Sequence, residues 1–138
     1  MLPKKYQGLN RHLMTKRSAT GLGLFTKERI KKGEFIIEYT GTILNAKEAN
    51  KKGGKYLFET SKNRFIDGTT RSNTARYINH SCAPNCEIDI IRGHVCVFSK
   101  RTIEPGEELF YDYEKEYFDE HIKPFGCKCT KCVSKNLK

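Results

Sequence analysis

Hydrophobic positions along this chain come in short runs, each closed by a glycine or a charged turn. Between residues 10 and 44 the stretches HLMTKRS, GLGLFTKE and EFIIEYTGTIL read as β-structure, separated by Gly21 and by the turn KKG. NAKEANKKGG reads as one or two helical turns, capped by Asn45 and stopped by Gly53 and Gly54. KYLFETS and RFIDGT follow as short strands around Lys62 and Asn63, and TTRSNTARYIN as a short helix. CEIDII and HVCVFSKR pair as a hairpin across Arg92 and Gly93, and EELFYDY is a last strand after the turn Glu104-Pro105-Gly106. Many short strands with few helical turns predict a mostly β domain.

Composition narrows the picture. The 138 residues suffice for one domain with a real core, and 37% hydrophobic against 30% charged residues suits a globular interior of modest size. No apolar run approaches the ~20 residues that span a bilayer, and MLPKKYQGLNRHLMTKR has no signal-peptide stretch, so an intracellular protein without membrane contact is expected. The net charge is +10, with lysines and arginines crowded into the first 55 positions. Such a field suits an anionic partner such as nucleic acid, or simply a well-solvated surface. One segment opposes it: DYEKEYFDE, residues 112 to 120, has five acids and one lysine.

Several groups could carry chemistry. Gly21-Leu22-Gly23-Leu24 fits either a hairpin turn or a close backbone approach to a ligand. Asn79-His80-Ser81 invites a Ser-His pairing, but neighbours in an extended chain point to opposite faces, and no G-x-S-x-G elbow occurs. Tyr111 and Tyr113 lie two apart on one strand beside the acidic run, where two phenols could line a channel for a long aliphatic cation. Cys127, Cys129 and Cys132 have the spacing of metal thiolates, with Cys82 as candidate fourth ligand of a tetrahedral zinc, although free or oxidised thiols would fit the same residues. Cys86 and Cys96 read as buried thiols on the hairpin.

Taken in order, Gly21-Leu22-Gly23, YTG at 39 to 41, Tyr56, RYINHSCAPNC at 76 to 86, GEELFYDY at 106 to 113 and CKCTKC at 127 to 132 resemble the SET-domain protein lysine methyltransferases with a cysteine-rich post-SET tail. The resemblance covers residues 10 to 132 and rests on the joint order of N-H-S-C and E-E-L-x-Y-D-Y. It implies a SET-domain fold of several small sheets of short strands, with a pseudoknot-like threaded loop, a few short helices and a zinc-bound tail. The expected boundaries are an N-terminal extension over 1–9, a SET domain over 10–113 and a post-SET tail over 114–138.

It also implies roles. Gly21, Leu22, Gly23, Leu24, Asn79 and His80 would bind S-adenosylmethionine; Tyr113 would be the catalytic tyrosine, with Tyr56 and Tyr111 in the lysine channel; Cys82, Cys127, Cys129 and Cys132 would hold zinc. The tail departs from the pattern, with two residues between its last cysteines where many histone-directed members have four. The expected activity is methyl transfer to the side-chain amine of a lysine in a histone or other basic protein, mainly to the monomethyl state. The acidic stretch from Glu114 to Glu120 would receive a basic tail, and the basic remainder would face nucleic acid or a nucleosome. Chromatin would then be the location in a eukaryote, or for an effector directed at a host, and the cytoplasm in a bacterium. The alternative is a zinc-stapled basic module, without catalysis, that binds nucleic acid or protein.

Overall fold

The computed structural model describes residues 12–19, 21–54 and 56–112. The expected extension over 1–9, Tyr113 and the tail over 114–138 lie outside them. The described residues form four small sheets. Strands β1 (Leu13–Ser18) and β2 (Gly21–Thr26) make an antiparallel hairpin. β3 (Phe35–Tyr39), β8 (Cys86–Ile91) and β9 (His94–Ser99) form a sheet in the order β3-β9-β8, and β4 (Thr42–Leu44), β5 (Leu57–Ser61) and β6 (Arg64–Asp67) one in the order β4-β6-β5. Finally β7 (Asn79–His80) and β10 (Phe110–Tyr111) pair in parallel.

Local chemistry explains the hairpins. Arg92 and Gly93 both have positive φ, at 52° and 83°, the left-handed pair that matches the twist of a two-residue turn. Ile91 therefore sits directly opposite His94. The helix α1 (Ala46–Lys52) starts on a capping box, in which the Asn45 side chain accepts the Glu48 amide at 2.8 Å and the Glu48 carboxylate accepts the Asn45 amide at 2.9 Å. Gly53 ends it, at φ 64°. Between β6 and α1, Asp67 is paired with Lys52 and accepts the Thr69 hydroxyl at 2.5 Å. Burial opposes ionisation of that carboxyl, but these partners outweigh it and hold its pKa below the usual range.

Three expected elements are shorter than their sequence patterns. EFIIEYTGTIL divides into β3 and β4 because Gly41 passes so close to the Asp67 carbonyl that no side chain fits there. TTRSNTARYIN keeps only one 3₁₀ turn, Thr74–Tyr77. The preceding residues are tied to the chain by Asn73, which is fully buried, donates to the Gly68 carbonyl at 3.1 Å and accepts the Thr40 amide at 2.9 Å. Of EELFYDY, the described residues 107–112 keep only β10 as a strand, because the chain changes partner along its length. The Leu109 amide donates to Leu24 of β2 at 2.8 Å, and Glu108 bridges Phe25, before Phe110 and Tyr111 take up β7.

One core joins the sheets. Leu24, Ile36, Tyr39, Phe58, Ile78, Val95, Val97, Leu109 and Tyr111 are buried in a single cluster. The Ile30–Ile103 bridge closes it at the β2 side. Replacing Asn73 by alanine should leave two backbone groups without partners and lower stability by about 1–3 kcal/mol. Urea unfolding would then show a lower midpoint at unchanged slope, and a midpoint equal to that of the parent would contradict this role for Asn73.

Candidate active site

The two residues of β7 point to opposite sides, and each side carries one half of the site. Asn79 faces the β1–β2 hairpin. Its Nδ2 lies 2.9 Å from Glu108 Oε2, 3.1 Å from the Leu22 carbonyl and 3.2 Å from Ser18 Oγ. Gly21 takes a positive φ of 119° at the turn, and space is open beside it. Gly23 is different: a Cβ there would run into the Glu108 carboxylate and sit 3.1 Å from Asn79 Nδ2. The glycine pair thus has both a turn role and a close-approach role, one at each position. Leu22 is 52% exposed, whereas Leu24 is wholly buried and its carbonyl accepts the Leu109 amide.

His80 faces the other way. Buried to 8% exposure, it stands in register with Tyr111, with Nε2 3.3 Å from Cys82 Sγ and Nδ1 3.6 Å from Asp112 Oδ1. The Ser81 amide donates to the Tyr111 carbonyl at 3.2 Å, and the Ser81 hydroxyl accepts the Ala83 amide at 3.0 Å. That hydroxyl serves to close the loop. Asn85, also buried, completes the attachment by donating to the Glu108 carbonyl at 2.8 Å and accepting the Phe110 amide at 2.9 Å. One side chain therefore clips the 81–86 loop to both residues that precede Tyr111 and Leu109 in register.

The Tyr111 ring is buried, 6.4 Å from the Phe58 ring, which in turn lies 5.3 Å from Tyr39. Tyr56 is half-buried, and its carbonyl accepts the Tyr39 hydroxyl and the Gly68 amide, each at 2.8 Å. The Arg76 guanidinium covers the Tyr56 ring at 4.5 Å and the Tyr77 ring at 5.2 Å. Tyr56 and Tyr111 are thus set through one aromatic layer, Tyr39 and Phe58. A cavity of about 270 Å³ opens beside Tyr111 and Asp112, lined also by Cys82, Cys86 and Lys100.

Cys86 and Cys96 are buried thiols of the hairpin, as expected, and burial pushes them up to about 12 and about 11. Among the described residues no three His, Cys, Asp or Glu side chains converge as a metal site. Cys82 is the one described member of the expected zinc set; Cys127, Cys129 and Cys132, like Tyr113 and the acidic run from Glu114, lie outside the described residues. Glu108, Asn85, Asn73 and Arg76 were not singled out from the sequence. All four fall within or beside quoted motifs, and an alternating pattern in E-E-L-F-Y was the available signal for Glu108: Leu109 and Tyr111 are buried while Glu108 and Phe110 are partly exposed.

Comparison with known proteins identifies the family. The family model described as SET domain matches residues 21–114. The chain is 39% identical over 124 residues to "Histone-lysine N-methyltransferase trithorax" of Drosophila virilis, covering 81% of this chain and 3% of that protein. It is 37% identical over 125 residues to "Histone-lysine N-methyltransferase 2D" of Homo sapiens, covering 81% of this chain and 2% of that one. To the Schizosaccharomyces pombe protein named "Histone-lysine N-methyltransferase, H3 lysine-4 specific" it is 39% identical over 121 residues, covering 78% of this chain and 13% of the relative. The chain thus spans only a small part of the length of these curated relatives. Among solved structures, the crystal structure of the Chaetomium thermophilum polycomb repressive complex 2 matches with a TM-score of 0.69 at 29% identity, over 78% of this chain and 16% of that one. A match over more than half its length, together with the mostly β fold and the Asn79-His80 strand beside Tyr111, establishes that the chain belongs to the SET domain family.

Proposed function

We propose that this chain transfers methyl groups from S-adenosylmethionine to the side-chain amine of a lysine in a histone or other basic protein. The observation that carries the reading is the double-sided β7: Asn79 touches the backbone at Leu22, and His80 lies in register with Tyr111. One strand so connects a glycine-lined backbone surface to a tyrosine-bearing strand, which suits two reactants that must meet end to end. The names of the relatives support the same chemistry, and the basic proteins in those names support the substrate class.

The residues present fit the donor. Open space beside Gly21 and the Asn79 carboxamide, with the Glu108 carboxylate against Gly23, suit the ammonium of the donor's amino-acid end. When bound, S-adenosylmethionine supplies an electrophilic methyl group on a sulfonium. The protein's own part is positioning and exclusion of water, because displacement requires nitrogen, carbon and sulfur in line. The attacking lysine has to be neutral, and with an ordinary pKa near 10.4 deprotonation at pH 7 costs about 4–5 kcal/mol. A cationic neighbour and desolvation lower that cost, so no carboxylate base is needed. Tyr113 follows directly on Asp112 and, in this reading, orients the amine, while Tyr56 and Tyr111 sheathe the lysine methylenes.

Four thiolates, Cys82 with Cys127, Cys129 and Cys132, would hold one zinc ion and fasten the tail across the 81–86 loop. Location at chromatin follows from a histone substrate, and the basic surface suits contact with nucleic acid.

Three measurements test the reading. Purified chain incubated with isotopically labelled S-adenosylmethionine and core histones should incorporate label, and Tyr113→Phe should reduce turnover on the order of 100-fold; no incorporation into any basic protein would defeat the proposal. The products should be mainly monomethylated because the Tyr111 phenol leaves little room for a methylated nitrogen to turn into line. Mass spectrometry of a Tyr111→Phe variant should reveal more di- and trimethyl lysine, and an unchanged product distribution would remove the monomethyl preference. Elemental analysis should find one zinc per chain, and active protein without zinc would dismiss the tail site.

A further inference from the structure

The Glu108 side chain has an unusual set of neighbours. It is partly buried, and its Oε2 accepts a hydrogen bond from Asn79 Nδ2 at 2.9 Å. The same carboxylate occupies the space that a Cβ at Gly23 would need. No cation among the described residues forms an ion pair with it, in contrast to Glu107, which is paired with Arg101 at 2.8 Å. Its backbone is held from two sides, by the bridge to Phe25 and by Asn85 on its carbonyl. The carboxylate is therefore a fixed group rather than a mobile surface charge.

Its effect on Asn79 follows from donor and acceptor counting. A carboxylate and a backbone carbonyl only accept, so Glu108 Oε2 and the Leu22 carbonyl both require the NH₂ of the carboxamide on their side. A flipped Asn79 would set oxygen against oxygen at both positions. The carboxamide is thereby locked, and Oδ1, which has no hydrogen-bond partner among the described residues, remains as an acceptor. With Glu108 negative and Asn79 Oδ1 open, the surface next to Gly21 and Gly23 is matched to a cationic N–H donor.

We propose that Glu108 is a positioning residue of the donor site: by fixing the Asn79 carboxamide and filling the space beside Gly23, it presents Asn79 Oδ1 to the ammonium of the donor's amino-acid end. This rests on the S-adenosylmethionine reading above. It adds a residue whose charge and shape act through Asn79, and it means that a side chain at position 23 would have to displace the Glu108 carboxylate.

The test uses the full chain and three variants, Glu108→Ala, Glu108→Gln and Gly23→Ala, with binding of S-adenosylmethionine measured by calorimetry apart from turnover. Loss of a charge-assisted contact predicts about tenfold or greater weakening of donor binding in Glu108→Ala. Glu108→Gln, whose amide oxygen can still accept from Asn79 but which lacks the charge, should recover part of the affinity, and Gly23→Ala should resemble Glu108→Ala. In kinetics the loss should fall on KM for the donor more than on kcat. NMR of the ligand-free chain supplies a separate readout: the Asn79 side-chain NH₂ should be slow to exchange in the parent and in Glu108→Gln, and fast in Glu108→Ala. If the parent binds the donor while Glu108→Ala binds it equally well, or if the Asn79 NH₂ exchanges equally fast in all forms, the role of Glu108 is refuted. A parent chain that neither binds S-adenosylmethionine nor transfers methyl groups refutes the functional reading itself, a result separable from the first.

Discussion

The parallel contact between Asn79–His80 and Phe110–Tyr111 is the constraint on which the site depends. Two residues on each side make a pair too short to hold itself together, since a parallel ladder gains little per residue and these segments are far apart in the chain. It persists because its surroundings leave no alternative. Leu109 and Tyr111 are driven into the core, and Ile78, one residue before β7, is buried with them. Asn85 then satisfies the Phe110 amide and the Glu108 carbonyl from outside the sheet. Apolar burial brings the strands together, and one buried carboxamide sets their register.

The same arrangement decides the electrostatics. In a chain of net charge +10, the groups next to β7 include the carboxylates Glu108 and Asp112. Both reactants implied by the proposed reaction bring positive charge to this place, the donor as a sulfonium beside a zwitterionic amino-acid end and the acceptor as a lysine that must lose its proton. Carboxylates near the entrance attract them, whereas a carboxylate at the reacting nitrogen would stabilise the protonated, unreactive amine. In this structure Glu108 is engaged with Asn79 and Asp112 lies beside His80, and the ring that stands in register with His80 is that of Tyr111.

What could be read from the sequence was local in origin. The Arg92-Gly93 turn, the Asn45 capping box and the buried hairpin thiols each depend on a few adjacent residues, so their signals are complete within a short window. The fold class and the N-H-S-C motif were legible for a similar reason, because order along the chain carries them. The shortened elements were not. EELFYDY has an unbroken strand pattern, and in its described part, residues 107–112, the exchange of β2 for β7 as partner leaves a strand of two residues. TTRSNTARYIN has helical spacing, but the side chain of the buried Asn73 is committed to the Gly68 carbonyl and to the Thr40 amide, the latter remote in sequence. Tyr111 was placed as a channel residue, and its burial beside Phe58 makes it a core residue as well.

The residues that escaped the sequence reading share a property: each acts by satisfying a partner supplied from elsewhere. Asn85, Asn73 and Glu108 are polar, short of their own chemistry, and indistinguishable in composition from surface residues. Buried polar groups are costly unless paired, so once the fold exists such residues are held to nearly one geometry. That rigidity is useful to a catalyst that works by alignment. A side chain held by two fixed acceptors cannot adapt to a poorly placed ligand, and discrimination then comes from the site rather than from the ligand's flexibility. Asn79 is held in this way by Glu108 and the Leu22 carbonyl, which places a fixed carboxamide beside the backbone that has least side chain, Gly21 and Gly23.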